Sequence, residues 1–412
     1  MYFNKSYALE KLLSHAYHEV EHYYKVFNHH KIDIAKIQTP SDLIQIPFLS
    51  RLKVQKEPSV FLSRCHHKFP YNQRIQIKRT FGVFGMPLRV YWDQKDESSA
   101  NKSLWDFRNK WYQINSSMRM CSFYNARYIG NKLAVCEGEF IDNNGLHLNF
   151  SKNVLTNEKL REYMAGISTF APDFLCLQPS IAHLLAEIIC NERLLLPSNL
   201  KYIELSGEFL DDDTRELIKT AFNITPTNVY STGETNVIAV ECKHKSLHVA
   251  ESNVLIEIVK DGKQVVGESG SIYVTSLTNF AMPFIRYRTG DIGMLQKDPC
   301  SCGEKSPVLR LSKNESACHL FSLNGEQISS SVIRSIVEHT NEKMLHAISW
   351  YRIQQIDSSQ FNIEFSLKPA YKNWQKSIVQ AFKENTKDPR LKQAKWSFIF
   401  DTNVCQTQSQ EV

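Results

Sequence analysis

Two glycines stand three residues apart in the segment KRTFGVFGMPLRVYWD, between two stretches that read as strands. A tight turn carrying Gly82 and Gly85 would let backbone amides approach a phosphate, because no Cβ atom stands in the way. Two glycines at this spacing are also typical of a plain hairpin. The segment is therefore a candidate phosphate loop, with an ordinary turn as the alternative.

Two further polar segments, SGEFL at Ser206–Leu210 and VYSTGETNV at Val229–Val237, each follow an apparent strand. Glu234 could hold a divalent metal bound to phosphates, because hard cations prefer carboxylate oxygens. The ring of Tyr230 could lie against a flat base or an aromatic substrate. In the alternative, Tyr230 is a core aromatic residue and Glu234 a solvated turn residue.

A third polar segment is RYRTGD, at Arg286–Asp291, which ends a strand beginning MPFI. Asp291 could accept two hydrogen bonds from a sugar diol, and Arg286 or Arg288 could face a phosphate. Basic strand residues are more commonly solvated, so the arginines alone do not identify a site.

Cys242, His248, Cys300 and Cys302 form a separate set, in ECKHKSLH and PCSCGE. Three thiolates and one imidazole make up a closed tetrahedral zinc shell, which would be structural rather than catalytic. Such a site would tie the strand-rich section to the turn before the last domain. His244 could replace His248 as the ligand, and the cysteines could instead be simply buried.

The elements around these segments predict an α/β fold. Helical spacing indicates an opening helix from Ala8 to about Phe27, and strands alternate with helices from about 179 to 232. Ligand crevices in such sheets lie at the carboxyl ends of the strands. Strand patterns dominate Ser246–Met294, and the last hundred residues read helix, strand, strand, helix, strand. We expect a large N-terminal domain, residues 1–311, with a β-rich subdomain, and a small α/β domain, residues 312–412.

Composition narrows the class of protein. The chain of 412 residues is 42% hydrophobic, enough for a large core, and its net charge of +6 is spread along the sequence. This small, dispersed positive charge does not indicate a nucleic-acid-binding protein. The charged residues of the opening segment interrupt the apolar run that a signal peptide needs, so we expect none there, and no apolar run is long enough to span a bilayer. We therefore expect a cytoplasmic protein.

In their order along the chain, these segments resemble the phenylacetate-CoA ligase branch of the adenylate-forming enzymes. The resemblance runs over most of the chain, and its most specific part is Val229–Leu311. It implies a carboxylate that attacks the α-phosphate of ATP, an acyl-adenylate, and transfer of the acyl group to coenzyme A or an amine. It also implies that the small C-terminal domain is mobile and rotates between the two steps.

The resemblance assigns roles to individual residues. Gly82 and Gly85 would belong to the phosphate loop, Glu234 would hold Mg²⁺, and Asp291 would bind the ribose hydroxyls. The Cys242, His248, Cys300 and Cys302 set matches the zinc cluster of parts of this branch. The other residues assigned to the nucleotide are Ser206, Gly207, Glu208, Tyr230, Ser231, Thr232 and Arg288. By position alone, Lys392 and Lys395 are the candidates for a C-terminal catalytic lysine.

The chain also departs from the family pattern, in which the loop reads roughly Ser-Gly-Ser/Thr-Thr-Gly-Lys-Pro. The residues that replace its hydroxyls and lysine are Phe81, Val83, Phe84 and Met86. Each lost donor removes a hydrogen bond to phosphate worth about 1.5–3 kcal/mol. The family's Tyr-Gly-x-Thr-Glu has Gly233 in place of its threonine, and Lys313 is the nearest base where a hinge arginine is expected.

Two functions follow from these observations. The first is an ATP-dependent ligase that joins a small, plausibly aromatic carboxylic acid to coenzyme A or an amine. The second is a degenerate ligase fold that no longer adenylates and acts as a binding or partner protein, or that uses a preactivated acyl donor. Retention of Glu234 and Asp291 favours the first, and the altered loop favours the second.

Overall fold

The computed structural model of the chain describes most of the sequence, with gaps. The described residues are 5–67, 74–80, 88–124, 128–129, 132–133, 139–141, 145–152, 155–312, 320–321, 327–328, 330–357, 359–386, 391 and 393–401. The candidate loop with Gly82 and Gly85 lies outside them, as do its substituted positions, Lys313 and Lys392.

The N-terminal part contains short helices and two small sheets beside the first strands of a larger one. Its elements are α1 (Lys5–Glu19), α2 (Glu21–His29), α3 (Arg51–Lys56), α4 (Arg64–His67), β1 (Ile75–Thr80), β2 (Leu88–Asp93), α5 (Gln94–Phe107), β3 (Met120–Tyr124), β4 (Tyr128–Ile129), β5 (Lys132–Leu133), β6 (Glu139–Ile141) and β7 (His147–Ser151). Short 3₁₀ helices lie at Ile34–Lys36, Pro40–Gln45 and Pro58–Phe61, and a π-helical turn at Arg108–Tyr112 prolongs α5.

The central part alternates helices and strands and then becomes all strand. Its elements are α6 (Asn157–Phe170), β8 (Phe174–Leu177), α7 (Pro179–Glu192), β9 (Tyr202–Ser206), α8 (Asp212–Phe222), β10 (Thr227–Thr232), β11 (Asn236–Glu241), β12 (Leu247–Val249), β13 (Val254–Lys260), β14 (Lys263–Gln264), β15 (Gly270–Ser276), β16 (Tyr287–Leu295) and β17 (Val308–Leu311). The predicted alternation and the predicted strand-rich section are both confirmed.

Thirteen strands form one sheet, in the order β14-β13-β15-β16-β17-β12-β11-β10-β9-β8-β3-β7-β6. Five adjacent strands of this sheet are parallel to one another: β10, β9, β8, β3 and β7. Their carboxyl ends therefore meet at one edge. The largest hydrophobic cluster of the described residues joins α6, α7 and α8 to β3, β7, β8 and β9. The helices bury their apolar sides on this sheet. The carboxyl ends of the parallel strands remain at its edge, which is where ligands bind in α/β folds.

Local sequence explains two of the helices that flank this edge. Helix α7 starts with Pro179, whose fixed φ suits the first helical turn, and it ends at Arg193 in the left-handed region. At the start of α8 the side chain of Asp211 accepts a hydrogen bond from the Thr214 N–H, and two further acids lie in the first turn. The helix predicted at the DDDTRELIKTAF segment is thus confirmed.

The predicted opening helix is interrupted. Val20 has an extended backbone, with φ −119° and ψ 115°, and separates α1 from α2. Its side chain is fully buried in the apolar cluster between the two helices, which also contains Tyr23 and Phe27 of α2. The change of direction at Val20 lets both helices face one apolar cluster, which the apolar pattern alone could not show.

The C-terminal part has its own sheet and cluster. Its elements are β18 (Leu320–Phe321), β19 (Gln327–Ile328), α9 (Ser330–Lys343), β20 (Ile348–Gln355), β21 (Gln360–Leu367), a 3₁₀ helix at Pro369–Trp374, α10 (Gln375–Asn385) and β22 (Lys395–Asp401). Strand β21 pairs antiparallel with β20 and parallel with β22, and residues of both helices share its cluster. The predicted order of elements is confirmed, and the domain boundary at 311/312 stays a prediction.

Within the described residues, every helix is too short or too polar to cross a membrane.

We expect His22, on α2, to make the free energy of unfolding depend on pH. Burial, followed by the nearby Lys53 and Lys25, lowers the pKa of His22 to about 4, and its ring lies 4.3 Å from that of Phe61. Below pH 6.5 the unfolded chain takes up this proton before the folded chain does, so stability falls as the pH drops from 6.5 towards 4. We expect His22 alone to lower the free energy of unfolding by about 2 kcal/mol between pH 7 and pH 5.

Urea unfolding at both pH values, with His22→Gln as the comparison, measures this contribution. The variant should lose less stability on acidification than the wild type. An equal loss in the two proteins would show that His22 titrates alike in the folded and unfolded chains.

Candidate functional site

The ends of β9 and β10 bring two of the predicted segments side by side. The strands are parallel, with Val229 opposite Ser206. The turn after Ser206 therefore lies beside the last residues of β10. Gly207 has φ 87°, in the left-handed region that favours glycine. This explains the glycine in SGEFL as a requirement of the turn.

Glu208 holds this turn against the start of α7. Its Oε2 accepts a hydrogen bond of 3.0 Å from the backbone N–H of Ser180, in the first turn of α7. The side chain of Gln178 lies 3.5 Å from where a Cβ on Gly207 would be, and its Oε1 accepts from Lys152 Nζ at 2.6 Å. Lys152 and Gln178 belong to no motif, but each follows the end of a parallel strand, which is the signal that could have found them.

Tyr230 and Asp291 contact each other. The Tyr230 hydroxyl donates a hydrogen bond of 2.7 Å to Asp291 Oδ2. Burial raises the pKa of Asp291, and hydrogen bonds from Tyr230 and Thr289 partly offset this effect. Because the half-buried tyrosine packs against a hydrophobic cluster, its hydroxyl acts as a fixed support for the carboxylate predicted to bind a sugar diol.

Glu234 is buried at 3% exposure, so the alternative of a solvated turn residue is wrong. Its Oε1 accepts hydrogen bonds from Arg51 Nη1 at 2.9 Å, Thr80 Oγ1 at 2.8 Å and the Tyr287 hydroxyl at 2.8 Å. Within the described ranges no residue donates to Oε2. One oxygen of the predicted metal carboxylate is thus held by three side chains, and the other accepts no hydrogen bond from the described residues.

Sequence reasoning missed Arg51, Thr80 and Tyr287 as partners of Glu234. They come from α3, β1 and β16, which are far apart in the sequence. Leu49 forms an isolated bridge with Tyr287, and this contact carries the Arg51 segment to the sheet. Nothing in the spacing of these residues indicates that they converge.

Two other predicted nucleotide residues shape the end of β10. Ser231 lies where the pairing of β10 with β11 is irregular. The Thr232 hydroxyl accepts a hydrogen bond of 3.2 Å from the Thr235 N–H and lies 2.9 Å from the Thr235 hydroxyl. Both residues therefore set the turn that carries Glu234.

The two arginines of RYRTGD have different surroundings. Arg286 is buried and its Nε lies 3.0 Å from Glu257 Oε1, while Nη1 donates to the carbonyl of Ile46 at 2.5 Å. Arg286 is thereby committed to the interior, although the sequence left it open as a phosphate ligand. Arg288 is exposed and remains a candidate.

Lys395 opens β22 in the separate C-terminal sheet and is exposed. Its backbone N–H donates to the Ser359 carbonyl at 2.7 Å. Its catalytic role stays a prediction.

The ligand atoms of Cys242, His248, Cys300 and Cys302 all lie within 4.8 Å of one another. The sulfur atoms of Cys242 and Cys300 are 3.8 Å apart, and Cys302 Sγ is 3.2 Å from His248 Nε2. Burial raises the pKa of Cys242 to about 12. For Cys300, burial is outweighed by hydrogen bonds, beginning with that of the Ser246 side chain, and its pKa falls to about 6.

The surroundings of this cluster suit a soft divalent cation. His248 Nδ1 lies 3.2 Å from the Ser306 carbonyl, so a proton there leaves Nε2 as the free ligand nitrogen. The backbone N–H groups of His244 and Glu304 donate to Cys242 and Cys302 sulfur at 3.4 Å each. The His244 ring instead contacts the Ser301 hydroxyl at 3.0 Å, so His248 and not His244 belongs to the cluster.

No protein-family model matches the chain. Its sequence is similar to a phenylacetate-coenzyme A ligase of Thermus thermophilus, with 24% identity over 314 residues that cover 72% of this chain and 66% of that enzyme. It is also similar to Protein CapK of Staphylococcus aureus, with 26% identity over 141 residues, or 34% of this chain and 30% of CapK. The chain thus spans slightly under two thirds of the first relative and under one third of the second.

Among solved structures, the fold is similar to that of a 2-hydroxyisobutyryl-CoA ligase in complex with 2-HIB-AMP and CoA. The TM-score is 0.63 at 15% identity, over 97% of this chain and 86% of that chain. At this identity the likeness shows the fold, a mixed α/β architecture built on one large sheet. The predicted fold class is confirmed.

Proposed function

We propose that this chain, which has the fold of the adenylate-forming acyl-CoA ligases and resembles phenylacetate-CoA ligase in sequence, is an ATP-dependent carboxylate-activating ligase. It would form an acyl-adenylate from a small carboxylic acid and pass the acyl group to coenzyme A or an amine. One observation carries the proposal. Two acids, the buried Glu234 and the half-buried Asp291, are each held by a tyrosine hydroxyl beside the end of β10.

The proposed binding roles follow from this arrangement. The turn at Ser206–Glu208 would border the adenine, and Asp291 would accept hydrogen bonds from both ribose hydroxyls. Arg288 is exposed on the same strand as Asp291 and would meet a phosphate. The backbone amides of the Gly82 to Gly85 segment would supply donors that do not depend on the lost hydroxyls.

In the activation step, the acid's carboxylate oxygen would attack the α-phosphorus of ATP as the bond to pyrophosphate breaks. Catalysis would rest on placement and on charge neutralisation, not on proton transfer. Glu234 Oε2, which accepts no hydrogen bond from the described residues, fits a hard cation. Mg²⁺ bound there would neutralise charge on the phosphates. Lys395 and a mobile C-terminal domain, residues 312–412, would complete the enzyme.

Exchange of labelled pyrophosphate into ATP tests the proposal. A panel of aromatic and short aliphatic acids should contain at least one that makes the exchange acid-dependent. No exchange with any of them would favour the second candidate, a fold that no longer adenylates. The Arg51 ion pair with Glu234, at 2.9 Å, is the observation that favours that candidate, because it already neutralises the carboxylate. Calorimetry separates the two, since a fold without nucleotide function binds neither ATP nor an acyl-adenylate mimic.

We also propose that Cys242, His248, Cys300 and Cys302 hold a structural zinc ion. Three thiolates and an imidazole are a soft donor set with no open position, and each of two sulfurs already accepts a backbone N–H. The cluster would tie β12 to the turn before β17 and to the π-helical turn after α5, because the Trp111 ring lies 5.4 Å from that of His248. Ligand thiols persist in a reducing compartment, which supports a cytoplasmic location.

Loss of this metal should destabilise the protein. We expect about one zinc ion per purified chain by elemental analysis, and we expect Cys302→Ser to lose it and to lower the melting temperature by about 5 °C or more. Cys190→Ser, at an exposed cysteine outside the cluster, is the matched control and should change neither. A metal-free protein that melts at the same temperature as the zinc-loaded one would contradict the zinc site.

A further inference from the structure

Gly233 and Thr80 are packed so closely that one restricts the other. A Cβ atom added to Gly233 would lie 2.1 Å from Thr80 Cγ2 and 3.2 Å from Thr80 Cβ. Real Cβ atoms do not approach other atoms to 2.1 Å, so any larger residue at 233 would have to displace the threonine. The glycine that interrupts the expected Thr-Glu pair is therefore required by a side chain from β1.

That same threonine supplies a hydroxyl to the next residue. Thr80 Oγ1 donates to Glu234 Oε1 at 2.8 Å and accepts from Arg51 Nη1 at 2.9 Å. Arg51 Nη2 also donates to the Thr80 carbonyl at 2.6 Å. The hydroxyl has one proton to donate, and these contacts direct it to the carboxylate.

The surrounding contacts fix this geometry from several strands. Trp92 Nε1, on β2, donates to the Gly233 carbonyl at 2.9 Å, and the Tyr287 hydroxyl, on β16, donates to Glu234 Oε1 at 2.8 Å. Thr80 itself is 7% exposed. All of the hydrogen bonds that described residues donate to the Glu234 carboxylate are accepted by Oε1. The protein therefore fixes the orientation of the carboxylate.

We propose that Thr80 is a positioning residue for Glu234, and that it is sterically paired with Gly233. Its hydroxyl holds Oε1 so that Oε2 is presented to the cation of the nucleotide, and its methyl group is the reason for glycine at 233. The cation role rests on the proposed function, but the steric pairing does not. The departure from the family pattern at Gly233 is then explained by the packing of Thr80 against it.

The steric half is tested by a set of variants at both positions. Gly233→Ala should lower the melting temperature by about 5 °C or more, because the new methyl group meets Thr80 Cγ2. Thr80→Ser removes that methyl group and keeps the hydroxyl, so the double variant Thr80→Ser with Gly233→Ala should melt within about 2 °C of Thr80→Ser alone. A harmless Gly233→Ala, or a double variant as unstable as Gly233→Ala, would overturn the pairing.

The positioning half is tested by metal binding, with Mn²⁺ and an unreactive ATP analogue followed by electron paramagnetic resonance. Thr80→Val keeps the shape and removes the hydroxyl, and it should weaken Mn²⁺ binding in the presence of the analogue by about 10-fold. Thr80→Ser should stay within about threefold of the wild type. Equal affinities for the Val and Ser variants would overturn the positioning role. If the wild type binds no Mn²⁺ with the analogue, both the proposed function and the positioning role fail, and the melting experiment still decides the steric pairing.

Discussion

Glu234→Gln is expected to lower the rate of acid-dependent pyrophosphate exchange by about 100- to 1,000-fold. The amide keeps the size of the side chain and can still accept hydrogen bonds at one oxygen. It loses the charge that would bind a divalent cation beside the phosphates. Steady-state exchange at saturating acid measures the effect, and its dependence on Mg²⁺ concentration should weaken in parallel.

This substitution also removes the negative charge of Glu234 from beside Arg51, so stability needs a control. Glu257→Gln breaks a second buried pair, in which Arg286 Nε lies 3.0 and 3.1 Å from the two carboxylate oxygens. Removing one partner of a buried ion pair costs about 3–5 kcal/mol, so both variants should lose stability. Only Glu234→Gln should lose the exchange activity once the temperature is low enough for both to be folded. Equal losses of activity would reduce Glu234 to a structural role.

Asp291→Asn is expected to lower kcat/KM for ATP by about 100-fold, with a smaller effect on kcat. A carboxylate can accept hydrogen bonds from both ribose hydroxyls, and each such bond to a charged acceptor contributes about 1.5–3 kcal/mol. The amide can still accept the Tyr230 hydroxyl, so the fold should be retained. A matched test with a 2′,3′-dideoxy nucleotide should show little difference between the variant and the wild type. An undiminished preference for the ribose hydroxyls in Asp291→Asn would exclude the assigned contact.

We expect the Tyr230 hydroxyl to influence the pKa of the Asp291 carboxyl group. Burial raises the pKa of Asp291, and the hydrogen bond from Tyr230 opposes that rise. Tyr230→Phe removes the opposing bond, so the pKa of Asp291 should increase and the acid limb of kcat/KM for ATP should move to higher pH. A limb that stays in place, or that moves to lower pH, would show that Asp291 does not control it.

The sequence was informative where a pattern depends on neighbouring residues. The acidic start of α8, the strand-rich section from β12 to β16 and the order of elements after α9 all follow from local periodicity and capping, and all are confirmed. The break at Val20 was missed because either a straight or a bent helix places the same apolar residues on one side. Tertiary packing of α1 and α2 decides between them.

In the candidate site too, the sequence predicted some of the contacts and not others. The strand-end rule correctly brought the Ser206 turn beside the end of β10, because parallel strands share an edge. It could not show that Arg51 and Thr80 reach Glu234, since these contacts join residues 183 and 154 positions apart. It also could not separate Arg286 from Arg288, because only burial against Glu257 distinguishes them.

A crystal structure of the protein with Mg²⁺ and an unreactive ATP analogue tests the central claim most directly. The proposed function predicts that the Asp291 carboxylate contacts both ribose hydroxyls and that the cation lies on Glu234 Oε2, with Oε1 still held by Thr80, Arg51 and Tyr287. A nucleotide bound without contact to either acid, or no nucleotide at saturating concentration, would contradict it.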